Sequence, residues 1–450
     1  MNYDIKVGFS RVDITPPMGL DIDGYFKRRL ADGVLDALEI NTLAVSKGEK
    51  TVLIMAVDNC GIGTAYLENC RDYIAKQTGI HKSAIFIHST HTHTGPRLCG
   101  EEAAETEQEK EYHAMVRLKL ADAAAFALAD LTPSKMGWAV SKAENVAFLR
   151  RYVMKDGSIK TNPGVNNPDI LRPIGEVDER VNVLRFLRED GQNMVLVNFG
   201  NHPDVVGGNK ISADWPGFTR RIVERALDNT KCLFFNGAQG DVNHVNVHPV
   251  GGDLNDMFMD FDDVSRGYGH AHHVGSVVAG AVLQVYDKVN YTDVDDIHYL
   301  QKPVDIPSNM PKPEDMEQAH YINDMHEAGR DSELPYKGML LTTFVAEAGR
   351  MVKLEHGPAS FPLLFSAISI GKVALFGIPG EPFTGIGTAL KKAEGWDLVL
   401  PCCLTNGSEG YFPMKDSYEE GGYEARSSRF KAGVAEHIID EGLQILTELK

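Results

Sequence analysis

The sequence predicts an α/β fold: a central mixed β-sheet flanked by helices, with a composite active site at the strand ends. Three observations carry this. Apolar runs of strand type alternate with segments of helical spacing along the chain. Residues 40–46 and 51–58 are two such runs joined by a Gly-containing turn, a hairpin signal that argues against a purely parallel sheet. Polar residues recur just after apolar strands, at His91 and His93, His202, Asp241, Glu381 and residues 406–411. In α/β folds, ligand sites lie beyond the strand ends.

Taken in order, Val7-Gly-Phe-Ser-Arg-Val-Asp-Ile-Thr-Pro-Pro17 reads as a short strand ending in a proline-rich turn, and the hairpin follows. Residues 64–78 have helical spacing, with Leu67, Cys70 and Ile74 on one stripe. A strand bearing His91 and His93 comes next, then a long Ala-rich helix over 105–130. Residues 134–200 read as β-rich, with turns at Asp156-Gly157 and Asn162-Pro-Gly164. The run 194–202 is a buried-type strand ending in His202, and a helix starts near Pro216, since proline suits a first turn. Residues 232–236 are strand and 266–287 helix. The stretch 302–335 is polar and reads as a surface insertion with a helix over 314–329. Residues 363–378 form a strand pair broken at Gly371-Lys372, leading into Pro379-Gly-Glu-Pro-Phe-Thr384 and a helix. A strand over 398–403, a loop rich in Gly, Ser and Tyr, and an amphipathic helix over 426–449 complete the chain.

Composition narrows the function. Of 450 residues, 43% are hydrophobic and 24% charged, which is ordinary globular composition. A net charge of −18 argues against nucleic acid or an anionic membrane as the main partner. The expected partner is a small-molecule substrate, with no stable membrane association. Six scattered cysteines make no disulfide framework and no CxxC pair, and read as buried free thiols in a reducing compartment. No signal peptide is visible, so a cytoplasmic location is expected, although a secreted chain trimmed of its signal reads the same.

Chemistry concentrates in Ala84-Ile-Phe-Ile-His-Ser-Thr-His-Thr-His-Thr-Gly-Pro96. In an extended chain His91 and His93 share a face, and two imidazoles at a strand end suit a divalent metal or an acid/base pair; a hydrogen-bonded surface pair is the plain alternative. Each other candidate also has a structural reading. His202 can be a satisfied buried group, and Glu381 can serve a helix N-terminus. Tyr411 and Tyr423 can be half-buried loop tyrosines, and Arg150 and Arg151 can pair with acidic side chains. His270, His272 and His273 start a helix without converging on one face and read as polar surface. Asp241 and Asn243 can close an Asx-turn.

Together and in this order, the motifs resemble the catalytic domain of the neutral (non-lysosomal) ceramidases. Thr90-His-Thr-His-Thr-Gly-Pro96 is similar to that family's Thr-His-Thr-His-Ser-Gly-Pro. Asn201-His-Pro203, Ile211-Ser-Ala-Asp-Trp-Pro-Gly217, Gly240-Asp-Val-Asn-His-Val-Asn246, Pro379-Gly-Glu-Pro-Phe-Thr384, Asn406-Gly-Ser-Glu-Gly-Tyr411 and Tyr423-Glu-Ala-Arg-Ser427 follow its later motifs. The resemblance spans residues 5 to 430. It implies one zinc ion held by His91, His202, Glu381 and Tyr411, with His93 and Tyr423 lining the reaction centre and the family's site arginine at Arg150, or at Arg151 if the alignment slips by one. It further implies a zinc-dependent hydrolase in which metal-activated water attacks an amide (N-acyl) bond of a small or polar substrate. An ester, lactone or carbohydrate-derived substrate is the alternative, and a non-catalytic metal-binding relative a third. Residues 1–450 are expected to be a single catalytic domain without the family's C-terminal immunoglobulin-like domain. Asn243 stands where the family has a serine, which excludes a serine nucleophile at that position, and Ser408 replaces a family tyrosine.

Overall fold

Val52, Ile54 and Ala56 face one side of their strand, Leu53, Met55 and Val57 the other, and both sides are buried. A strand apolar on both faces must lie inside a layered fold. The structure, a computed structural model, describes residues 3–100 and 103–450. Its larger sheet contains β1 (Ile5–Asp13), β2 (Glu39–Lys47), β3 (Lys50–Val57), β4 (Ile85–Ser89), β5 (Thr132–Lys142), β6 (Arg180–Arg188), β7 (Asn193–Phe199) and β8 (Thr230–Asn236). They lie in the order β8-β7-β6-β5-β1-β2-β3-β4, with the short strand Asn290–Thr292 added beside β5. The edge pairs β7/β8 and β3/β4 are parallel and the strands between are antiparallel, so the sheet is mixed as expected. A second sheet, β9 (Ile297–Pro307), β10 (Ser360–Ile370), β11 (Val373–Gly377) and β12 (Leu398–Cys402), has order β9-β10-β11-β12.

The sheets pack face to face. Leu43, Ile54, Phe86, Phe186 and Leu196 from the first meet Ile368, Val373, Leu375 and Leu400 from the second in one apolar layer. The outer face of the first sheet is covered by α1 (Thr64–Thr78), α2 (Glu107–Ala129), α3 (Asp214–Ala226) and α4 (Tyr268–Val285). Helices α5 (Met316–Glu327) and α6 (Gly338–Leu354) pack on each other. α7 (Thr384–Leu390) and α8 (Val434–Glu448) cover the outer face of the second sheet. The result is a helix–sheet–sheet–helix sandwich. Among the described residues, no helix is long and apolar enough to cross a membrane.

Three sequence expectations are adjusted. The final helix begins at Val434, not near 426: Phe430 is fully buried, Gly433 turns the chain at φ 100°, and residues Tyr423–Ser427 form a separate short helix. The polar stretch 302–335 opens inside β9, whose side chains pair along β10. Its helix buries Met316, Ile322 and Met325 against Val345, Ala348 and Met351 of α6, a helix without a counterpart in the sequence reading.

The sandwich brings the ends of β4, β8, β11 and β12 together. Cys403 N donates to Asn236 O, and Ser89 N to Leu404 O. Between them, buried His88 has Nδ1 2.6 Å from Cys403 O and accepts Asn236 N at Nε2. Burial holds the pKa of His88 down to about 3, so the ring is neutral, as one donor and one acceptor contact require. On the helical side, Arg220 of α3 reaches the end of β3, donating to both oxygens of Asp58 at 2.8 and 2.5 Å, with both side chains buried. Removing one partner strands a buried charge. Arg220→Ala is therefore expected to cost about 3–5 kcal/mol in urea unfolding, and adding Asp58→Ala to it should cost less than the two single substitutions summed.

Candidate metal centre

β4 ends at Ser89, so strand alternation does not place His91 and His93. A turn does. His91 sits at φ 77°, a left-handed conformation costly for a residue with a Cβ. Two contacts hold it there: His91 N donates to Asn59 O at 2.8 Å, and its Nδ1 lies 2.6 Å from Cys60 O. The turn puts the His91 and His93 rings 4.8 Å apart, edge to face. The hydroxyls of Thr92 and Thr94 donate to Ser212 O, at 2.7 and 3.1 Å, and His93 N to Pro203 O.

His202 lies in the loop after β7. Its Nδ1 is 3.0 Å from Gln239 O and 3.2 Å from Val242 O. The same loop is braced by Asp214, whose carboxylate accepts Val205 N and Val206 N. Glu381 comes from the second sheet's side, on a two-residue strand beside Tyr411–Phe412. Gly240 presses against that strand: a Cβ there would lie 2.6 Å from Glu381 O. Asp241 accepts both Thr384 N and its hydroxyl, fixing the start of α7. This carboxylate therefore ties two site loops together instead of closing a local turn.

These loops bring three ligand atoms to one point. His91 Nε2 and His202 Nε2 are 3.2 Å apart, and Glu381 Oε2 is 3.2 Å from the first and 3.3 Å from the second. A tetrahedral shell with bonds of about 2.0–2.1 Å has ligand–ligand edges of about 3.3 Å, so the triangle fits zinc. The chemistry agrees. Both Nδ1 atoms face carbonyl oxygens and so carry the ring proton, which leaves both Nε2 atoms as bare lone pairs facing a carboxylate oxygen. Two imidazole lone pairs and a carboxylate in contact call for a positive charge among them, which a proton on His91 or a metal ion supplies. Burial alone would raise the Glu381 carboxyl, but His91 and His202 bring it well below the usual carboxylate range. Burial opposes protonation of His91, yet Glu381 leaves its pKa raised.

The remaining candidates surround this triangle. Tyr411 Oη is 3.5 Å from His202 Nε2. His93 Nε2 is 3.3 Å from His91 Nε2 but is not part of the mutual cluster with His202 and Glu381. Tyr423 stacks edge-on against Tyr411, with ring centroids 5.5 Å apart. Arg150 lies over the Tyr411 ring at 5.4 Å and donates to Glu424 at 2.6 Å and Gly240 O at 2.7 Å. Arg151 turns away to Ser417, Glu420 and Gly421 O, so of the two arginines it is Arg150 that stands beside the centre. Asn243 closes an Asx-turn onto Val245 N.

Several neighbours had escaped the sequence. Asp204 Oδ1 lies 3.7 Å from His93 Nδ1 and accepts from Arg266 and Tyr25. A carboxylate two residues beyond His202 was the available signal; Arg266 and Tyr25 gave none. Gln239 donates to Glu381 at 3.4 Å, and Cys60 Sγ is 3.7 Å from His91 Nδ1. The cluster at the start of α4 is corrected in part. His272 packs on Phe218, but His270 and His273, three apart on the helix, share a face and line a small cavity with His244.

No protein-family model and no curated protein matches the sequence. Solved structures that share the fold include two ceramidases. Neutral ceramidase from Pseudomonas aeruginosa superposes with a TM-score of 0.73 at 15% identity, over 99% of this chain and 75% of that one. A structure described as ceramidase complexed with C2 gives a TM-score of 0.74 at 15% identity, with the same coverage. The chain thus has the neutral ceramidase fold, as its motifs implied. The triangle leads to a direct expectation. In elemental analysis, His91→Ala should hold one metal ion fewer per chain than the wild type, while His93→Ala should lose none.

Proposed function

We propose that the chain is a zinc-dependent hydrolase of the neutral ceramidase kind, cleaving the amide (N-acyl) bond of a small or polar substrate. The observation that carries this is the triangle of two imidazole Nε2 atoms and one carboxylate oxygen, set among proton-bearing side chains, at the strand ends of a ceramidase fold. His91, His202 and Glu381 would hold the ion, with Tyr411 as fourth ligand. Bound there, zinc would supply Lewis acidity and an acidified water at neutral pH.

The chain's own groups would do the rest. Burial lowers the pKa of His93, so its imidazole is neutral and free to accept a proton at Nε2. Asp204, with Arg266 and Tyr25 behind it, stands on the Nδ1 side and would steady the ring as it charges. Burial keeps the Tyr423 phenol protonated, able to donate to an oxyanion developing at the carbonyl. Arg150, fixed by Glu424, would bind a polar or anionic part of the substrate. Tyr25 packs on His93 and Phe261, and Phe26 on Tyr423; Phe26 and Phe261 are each 45% exposed. This rim offers apolar surface to the acyl side of the scissile bond, which favours an amide over a carbohydrate-derived substrate. Six free cysteines, five of them buried, suit a reducing, cytoplasmic setting.

A panel of N-acyl amides, esters, lactones and glycosides tests the proposal. Amide turnover is expected, abolished by a chelator and restored by zinc. Turnover of esters or lactones alone would move the assignment to that class, and no turnover at all would leave a metal-binding relative. Tyr423→Phe should lower kcat by about 10²–10³-fold with little change in KM.

A further inference from the structure

We propose that the cavity between the 244–257 loop and the first turns of α4 is a second metal site, taking a divalent transition-metal ion on His244, His270 and His273. His244 is 2% exposed. Its Nε2 is 2.7 Å from Ser265 O and so carries the ring proton, while its Nδ1, then a bare lone pair, has no hydrogen-bond partner. An unmet buried acceptor is unfavourable, so the position calls for a donor or a cation. His244 lines a cavity of about 20 Å³, together with His270, His273, Asn246, Asp253 and Ser265. That is room for one water or one ion.

The neighbours supply the remaining chemistry. The His270 ring hydrogen-bonds the main chain of His244, which commits one nitrogen and leaves the other free. This is the device that orients His91 and His202: one ring nitrogen on a carbonyl, the second presented as a ligand. His270 lies 5.8 Å, ring to ring, from both His244 and His273. Rotation of the exposed His273 ring would bring its donor toward the His244 and His270 pair. Burial and His270 hold the pKa of His244 down to about 3, so the ring is unprotonated at any working pH. Asp253 acts on His270 in favour of positive charge, offsetting the positive end of α4. Its carboxylate also accepts Asn246 and Val250 N at 3.0 and 2.9 Å, which fixes the loop over the cavity. No residue of the His91, His202 and Glu381 triangle lines the cavity. Three imidazoles and a carboxylate suit zinc, nickel or copper above magnesium or calcium.

The test is titration of chelator-treated protein with zinc alone, followed by calorimetry and elemental analysis. The His91→Ala/His202→Ala variant, which lacks the first centre, should still bind one ion per chain. Adding His270→Ala/His273→Ala should weaken that binding by at least about tenfold. Neither His270 nor His273 belongs to the apolar core behind α4, and far-UV circular dichroism checks the fold. In the otherwise wild-type chain, His270→Ala/His273→Ala should remove one ion and keep activity, so a failure here is separate from a failure of the catalytic centre. If the first variant is folded and binds no zinc, the cavity holds water only and the proposal is wrong. Zinc binding that is indifferent to His270→Ala/His273→Ala would overturn it equally. Should the first variant not fold, the stoichiometry of the second against wild type decides.

Discussion

The ring protons of His91 and His202 are held on the main-chain carbonyls of Cys60, Gln239 and Val242, and these contacts decide what the strand ends can do. With the protons fixed on Nδ1, both Nε2 atoms become acceptors, and they point at each other and at Glu381. Mutual repulsion of three lone pairs is tolerable only around a positive charge. The rest of the site serves that arrangement. The Thr92 and Thr94 hydroxyls, Asp214 and Asp241 each spend a polar group on holding a loop still.

Two sheets are needed for this. His91 and His202 follow strands of the first sheet, while Glu381 and Tyr411 follow strands of the second. The apolar layer between the sheets thus sets the distance between the candidate ligands. His88, bridging Asn236 and Cys403, locks the two sets of strand ends in register without carrying charge. Arg220 and Asp58 do the corresponding work toward the helices, where a paired charge replaces apolar contact.

Much of the fold was legible because its signals are local. The hairpin over 40–58 has a turn of its own, and α1 has an apolar stripe of its own, so both stand where periodicity puts them. α6 was not legible, since its buried face is small and mixed, with Thr343, Ala346 and Ala348 among it. The start of α8 was misplaced because burial of Phe430 is a tertiary event. At the site the motif residues converge in space, but a positive φ at His91, not strand alternation, sets the turn that carries His91 and His93. Asp204, Arg266 and Tyr25 meet only in three dimensions, and no spacing announces them. His270 and His273 give no signal in the sequence, because His272 breaks the face they share and their neighbour His244 comes from another loop.

The division of the ligands between two sheets also bears on how the protein assembles. His91 and Glu381 lie far apart in the chain and are brought together by the packing of the two sheets. Loop closure of this kind comes late in folding, since its entropy is lost before the contact compensates. An ion held by these residues could not nucleate the fold as it does in a zinc finger, because its candidate ligands are brought together across the two sheets. On the proposed function, uptake of metal would be a maturation step, open only to a chain whose architecture is already complete.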